Sequence, residues 1–257
     1  MTLSEAKVEK LWRWPVKGLG GEELAAVTLE EGQLFPFDRA FALENGPSEF
    51  DPANPEHVSK RQFICMVKQP ESGRLTARFH DASQTLTIEA LDGTTLSASS
   101  GDAAALEALA SKLIHLGVRG PMRLTCAHNL SGGHGFTDVP DRWVSIQNKA
   151  TIDAVSTELG NNLDPRRLRA NILVDGWDAW EEEALVGQKL VMGDVELKIA
   201  QVINRCGAID VNPTNSQRDT DLLRLLKRMR GQLSMGLYAR VNKGGSLKPG
   251  SPVTVAD

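Results

Sequence analysis

The 257-residue chain has only three cysteines, Cys65, Cys126 and Cys206. Scattered singly, they exclude a disulfide framework and a four-thiolate zinc or iron–sulfur centre. A basic excess is also missing. The net charge of −4 and the pI of about 5.8 leave no general nucleic-acid footprint. No uncharged apolar run approaches the roughly eighteen residues of a spanning helix. The first ten residues carry Glu5, Lys7, Glu9 and Lys10 where a secretory leader would be apolar. The expectation is a chain that meets neither nucleic acid nor membrane and works in the reducing cytoplasm. Gly-x-Ser-x-Gly, a Gly-x-x-x-x-Gly-Lys loop and a dinucleotide fingerprint after a strand are all absent. His128 and His134 lack the companion acids or cysteines of a zinc site.

Hydrophobic residues make up 41% of the chain, enough for one large domain or two smaller ones. Strand signals dominate. Val8 to Trp14 is an apolar-aromatic run stopped by Pro15. Leu75 to Phe79, Thr85 to Ala90 and a third run after Asp92-Gly93 read as a meander of hairpins. Lys189 to Met192 and Val195 to Val202 repeat that grammar around Gly193-Asp194. Helices are predicted after Asp102, from Asn148 to Leu159 with Gly160 as the stop, at Asp164-Pro165, and from Asp219 to Arg230. Lys227, Arg228 and Arg230 on the last of these read as a solvated face near a helix C-terminus. The Gly- and Ser-rich stretch Asn129 to Asp141 reads as a linker between a first half, 1–128, and a second, 129–257.

Cys206 lies in Asn204-Arg205-Cys206-Gly207, between a long apolar strand and the loop Asp210 to Thr214. A thiol at such a junction, beside an arginine, suits a nucleophile or a soft-metal ligand; taken alone it is more often a small buried hydrophobe. Cys65 and Cys126 stand in apolar surroundings and read as core. Lys17, Arg39 and Arg169 sit beside flexible backbone at strand ends, where fixed cations suit an anionic ligand. Singly, each also reads as a surface ion pair. Tyr238, the one tyrosine, reads as half-buried strand packing.

In their order, these pieces resemble the MOSC family, named after the C-terminal domain of molybdenum cofactor sulfurase. Trp12 to Gly18 with Gly21 to Leu24 is similar to the opening of that family's N-terminal β-barrel domain. Phe37 to Leu43 resembles its Gly-Asp-Arg strand, with Phe37 where glycine is usual, and Lys60 to Phe63 its next segment. Arg169 to Gly176 is similar to the family's Arg-x-Asn-Ile-x-Val stretch. Arg205-Cys206, Val211-Asn212-Pro213 and Arg218-Asp219 match its Arg-Cys signature, with Ile209 in place of threonine and Asn215-Ser216 in place of Thr-Gly.

The resemblance implies a mainly β fold with a few helices (α+β), in two β-barrel-like halves. It implies a molybdenum cofactor (molybdopterin) whose metal is ligated by Cys206, the catalytic position. Lys17, Gly18, Arg39, Ser145, Arg169, Asn171, Arg205 and Tyr238 match positions that hold the pterin and its phosphate. The activity implied is reduction of small N-hydroxylated compounds. The alternative is a cofactor or persulfide carrier without turnover of an organic substrate. Pyridoxal phosphate binding is an association of the family and of no residue here. With too few thiols for an iron–sulfur centre, an oxidoreductase of this kind needs a separate electron-donor protein, expected to meet a rim of Arg205, Arg218 and Lys243.

Overall fold

A computed structural model describes residues 5–51, 54–127 and 134–256. In chain order its strands are β1 (Ala6–Arg13), β2 (Glu22–Leu24), β3 (Val27–Leu29), β4 (Phe41–Asn45), β5 (Thr76–His80), β6 (Thr85–Glu89), β7 (Thr95–Ser99) and β8 (Pro121–Cys126). They continue with β9 (Val144–Asn148), β10 (Ile172–Asp175), β11 (Lys189–Met192), β12 (Val195–Asn204), β13 (Ser234–Lys243), β14 (Gly245–Leu247) and β15 (Pro252–Ala256). The helices among the described residues are α1 (Ala103–Leu113), α2 (Lys149–Leu159) and α3 (Leu222–Arg230). The fold is therefore mainly β with a few helices.

Alternation along the strands builds a barrel. In β12, Val195, Leu197 and Ile199 are buried while Glu196 and Lys198 point outward. The sheet runs β10-β9-β13-β12-β11-β15-β1, and β1 pairs back onto β10, closing seven strands. Closure abolishes the sheet edges and encloses Val8, Leu11, Ile146, Val174, Leu237 and Val241 in one core. β1 comes from the start of the chain but completes a barrel whose other strands all follow residue 143, so the two parts share their central element. The rest of the N-terminal part surrounds a second core. The meander β5-β6-β7, the ladder β4-β8 and α1 bury Phe41, Phe79, Leu86, Leu109 and Leu113 there.

The helix termini follow their caps. Asp102 accepts from the Ala105 N–H at the start of α1, Asn148 from the Ala150 N–H at the start of α2, and Gly160 ends α2 in the left-handed region. α3 begins later than the periodicity suggests, because Asp221 and not Asp219 is its cap. Asp164-Pro165 opens only a 3-10 turn, Pro165–Leu168, halted by Arg169 at φ +51°.

Two of the departures from the family pattern stand on left-handed backbone. Phe37, where glycine is usual, has φ +57°, and Ser216, where the second residue of Thr-Gly is expected, has φ +61°. Each strains a non-glycine residue by about 1–3 kcal/mol. Phe37 is offset by its ring, 4.3 Å from Phe79 and under the Arg13 guanidinium. Ser216 has no such offset: it is 5% exposed and its hydroxyl has no partner among the described residues. Ser216→Gly is therefore expected to stabilise the protein by about 1 kcal/mol, after the extra backbone entropy of glycine is subtracted. Thermal denaturation should show Tm higher by about 2–4 °C; a lower Tm would refute the strain.

The Gly-rich stretch is more than a linker. Residues 128–133, with His128 and Ser131-Gly132-Gly133, lie outside the described residues. Phe136, just beyond, packs against Phe50 and Phe63 at 5.0 Å each, and the following residues form part of a cavity wall.

Candidate functional site

One end of the barrel opens into a cavity of about 340 Å³. There β1 leaves toward Trp14-Pro15-Val16-Lys17, Arg169 to Asn171 lead into β10, and β12 runs out into Arg205-Cys206. β9 and β13 pair Ser145 with Tyr238, and β13 pairs Tyr238 with Gln201 of β12. All nine positions singled out above line this cavity: Lys17, Gly18, Arg39, Ser145, Arg169, Asn171, Arg205, Cys206 and Tyr238.

Their hydrogen bonds divide them into three groups. The first holds the walls together. Ser145 Oγ donates to Asn171 Oδ1 at 2.8 Å, the Asn171 amide N–H donates to Ser145 Oγ at 3.1 Å, and Asn171 Nδ2 donates to the Trp12 carbonyl at 3.3 Å. These bonds tie β9 and β10 to β1. Gly18, at φ +84°, lies so close to the next segment that a Cβ there would stand 2.5 Å from the Ile64 carbonyl oxygen. Only glycine fits.

The second group is already neutralised. Lys17 is 6% exposed, and its ammonium donates to the carbonyls of Phe136 (2.9 Å) and Thr137 (3.4 Å) and to Asp138 Oδ1 (2.6 Å). That accounts for its three protons. Burial pulls its pKa down, and Asp138 opposes this. Asp138 also accepts from Lys60 at 3.2 Å through its other oxygen. Burial would raise the Asp138 carboxyl, but the two lysines hold it well below the usual carboxylate range. Arg39 donates to Asp38 and, at 2.7 Å, to the Arg169 carbonyl. Lys17 and Arg39 thus brace the wall in this structure.

The third group has charge to spare for a ligand. Arg169 stacks its guanidinium 4.7 Å over Trp14 and donates to the Leu19 carbonyl. Arg205 donates through Nε to the Met235 carbonyl and through Nη1 to that of Leu168, both at 2.8 Å; its buried Nη2 has no partner among the described residues. Neither guanidinium forms an ion pair with a carboxylate among the described residues. Burial, with Arg39 adding to it, pushes Arg169 down to about 9; burial likewise pushes Arg205 down to about 10. Both stay charged at neutral pH, so the cavity holds two cations that lack a counter-anion. Arg39 (φ +50°) and Arg169 (φ +51°) are both in the left-handed region, strain of the kind found where a side chain must be aimed.

Cys206 opens the 3-10 turn Gly207–Asp210, partly exposed, on the same cavity wall as Lys60. Tyr238 stacks on Trp143 at 5.4 Å, and burial raises its phenol against the pull of Arg205. Ile209, where threonine is usual, is 4% exposed and packs with Leu222, Leu225 and Leu226 beneath the cavity. The missing hydroxyl is thus replaced by core contact.

Three sequence readings need correction. Cys65 is not core: it is partly exposed and lines the same cavity as Cys206. Lys243 is not at the rim, since β13 runs from Ser234, opposite Asn204, to Lys243, opposite Glu196. At 3.2–3.4 Å per residue the far end lies roughly 30 Å away. Arg205 faces inward, and Arg218, though exposed, has its donors on the carbonyls of Gly207, Met66 and Val67. Lys60, Asp138 and Trp143 were not singled out. Lys60 lay in a segment noted for its order, but no local pattern marks the other two, which reach the site through tertiary pairing.

The profile of the MOSC domain matches residues 127–254, and that of the MOSC N-terminal beta barrel domain matches residues 5–119. Over 131 residues, 48% of its length, the chain is 25% identical to a molybdenum cofactor sulfurase of Drosophila pseudoobscura pseudoobscura. The matched region is 16% of that protein, so the chain spans a small part of this relative. Among solved structures, the YUAD protein of Bacillus subtilis is 12% identical with a TM-score of 0.45, covering 98% of this chain and 95% of that one. YiiM from Escherichia coli is 14% identical with a TM-score of 0.35, covering 44% and 54%.

Proposed function

Because the chain belongs to the MOSC family over nearly its whole length, we propose that it is a molybdenum-cofactor-binding oxidoreductase that reduces N-hydroxylated compounds with electrons from a separate protein. The observation that carries this reading is the pair of unneutralised guanidiniums, Arg169 and Arg205, in one cavity with the Cys206 thiol. These residues fit the group. Its terminal phosphate needs fixed cationic donors, which the orphaned Nη2 of Arg205 and the aimed Arg169 supply. Its metal, held by sulfur, takes a further thiolate, which Cys206 supplies. When bound, the cofactor would supply a two-electron redox change at the metal.

This chain's own part is positioning. Arg39 fixes the Arg169 backbone, and the Ser145–Asn171 bonds fix the strands beneath it. Lys17 and Lys60 pin the Asp138 segment as a wall, which keeps that side of the cavity from collapsing. The Trp143–Tyr238 pair and Met66, Val67 and Ile203 give the cavity an apolar side on which a small organic substrate would displace water.

The second reading is a carrier that holds the cofactor or a persulfide on Cys206; the likeness to a molybdenum cofactor sulfurase favours it. Turnover separates the two. An N-hydroxylated substrate should be reduced with a chemical reductant and with NADH plus an added reductase and electron carrier, and not with NADH alone. Activity with NADH alone would refute the need for a donor. No activity with the chemical reductant, in protein shown to contain molybdenum, would favour the carrier.

A further inference from the structure

Cys65 is a reactive side chain on the cavity wall to which the function above gives no task. Its segment meets that of Cys206 through Arg218, which clamps both: Nη1 donates to the Gly207 carbonyl at 2.6 Å, and Nη2 to those of Met66 (3.1 Å) and Val67 (2.7 Å). The residue that follows each cysteine is therefore bound to the same guanidinium. Cys65 is also held from behind, since a Cβ on Gly18 would stand 3.1 Å from its Cα. Both thiols are free and partly exposed, whereas Cys126 is buried in β8.

We propose that Cys65 is the resolving thiol of Cys206, so that hydrogen peroxide converts the pair into an intramolecular disulfide. The Cys206 sulfur attacks one peroxide oxygen, the O–O bond breaks, and a sulfenic acid and water form. The Cys65 sulfur then attacks the sulfenyl sulfur, the S–O bond breaks, and a second water leaves. Two thiols give up two electrons and two protons, and one peroxide becomes two waters. The bridged Cys206 has no thiolate to offer a soft metal, and reduction by a dithiol restores it. Trapping at the disulfide also keeps Cys206 from the irreversible sulfinic state. The step involves the two thiols and the peroxide, and it takes place when the Cys206 sulfur carries no metal.

The test uses the full-length chain produced without molybdate. The protein is treated with a small excess of hydrogen peroxide, blocked with N-ethylmaleimide in denaturant, digested without reductant and read by mass spectrometry. The expected result is a linked peptide pair containing Cys65 and Cys206, loss of two of the three thiols, Cys126 still alkylated, and reversal by dithiothreitol. In Cys65→Ser, Cys206 should run on to sulfinic acid at the same peroxide dose. The proposal is overturned if Cys65 stays alkylated in the wild type, if the bridge joins two chains, or if sulfinic acid at Cys206 forms equally in wild type and variant.

Discussion

Cys206→Ser is expected to give a folded protein with no turnover. The thiol is partly exposed at the start of a 3-10 turn, and the backbone bond from the Ile209 N–H to its carbonyl does not involve the sulfur. The change in stability should stay within about 0.5 kcal/mol, as for other substitutions that remove no packing. The change in chemistry should be total, because a serine hydroxyl is a hard, neutral group where a soft thiolate ligand is required. Circular dichroism and Tm should match the wild type while reduction of an N-hydroxylated substrate with a chemical reductant falls to background. Retained turnover would remove Cys206 from the metal.

Arg205→Ala should act on both fold and ligand. The guanidinium donates to the carbonyls of Met235 and Leu168, so its loss takes the donor from Leu168 and leaves Met235 only the longer bond from Gln147 Nε2 at 3.4 Å. A net destabilisation of about 1–3 kcal/mol is expected, measured by chemical denaturation. The lost charge-assisted bond should weaken inorganic phosphate binding by roughly one to two decades, at about 1.4 kcal/mol per decade. Arg205→Lys should keep part of the phosphate affinity and little of the stability, since an ammonium cannot span two carbonyls and a ligand with a planar fork. Full stability in Arg205→Ala would contradict the bracing role, and unchanged phosphate affinity the ligand role.

Much of this site is written in short stretches of sequence. Arg169-Ala-Asn171 and Arg205-Cys206 sit where a strand begins or ends, and a barrel collects its strand ends at one mouth, so distant local signals converge. The alternation of β12 and the caps of α1 and α2 were readable for the same reason: side-chain period and capping act over a few residues. What could not be read depends on pairing across the chain. The partnership of β1 with β10 joins residues more than 150 positions apart. The role of Lys17 changes because Asp138, 121 residues away, takes one of its protons. Cys65 reads as core from its apolar neighbours, and only the tertiary contacts of Arg218 bring its segment to the cavity that Cys206 lines. The left-handed backbone at Phe37 and Ser216 was visible only as two departures from a family pattern, and its cause needed the φ angles.

The central claim, that this cavity holds a molybdenum cofactor through Cys206 and the guanidiniums of Arg169 and Arg205, is tested most directly by metal and pterin content. Wild-type protein, made in cells with a working cofactor pathway and purified without reconstitution, should carry close to one molybdenum and one pterin per chain by elemental analysis and fluorescence of the oxidised pterin. Wild-type protein from the same cells with neither molybdenum nor pterin above background would contradict it.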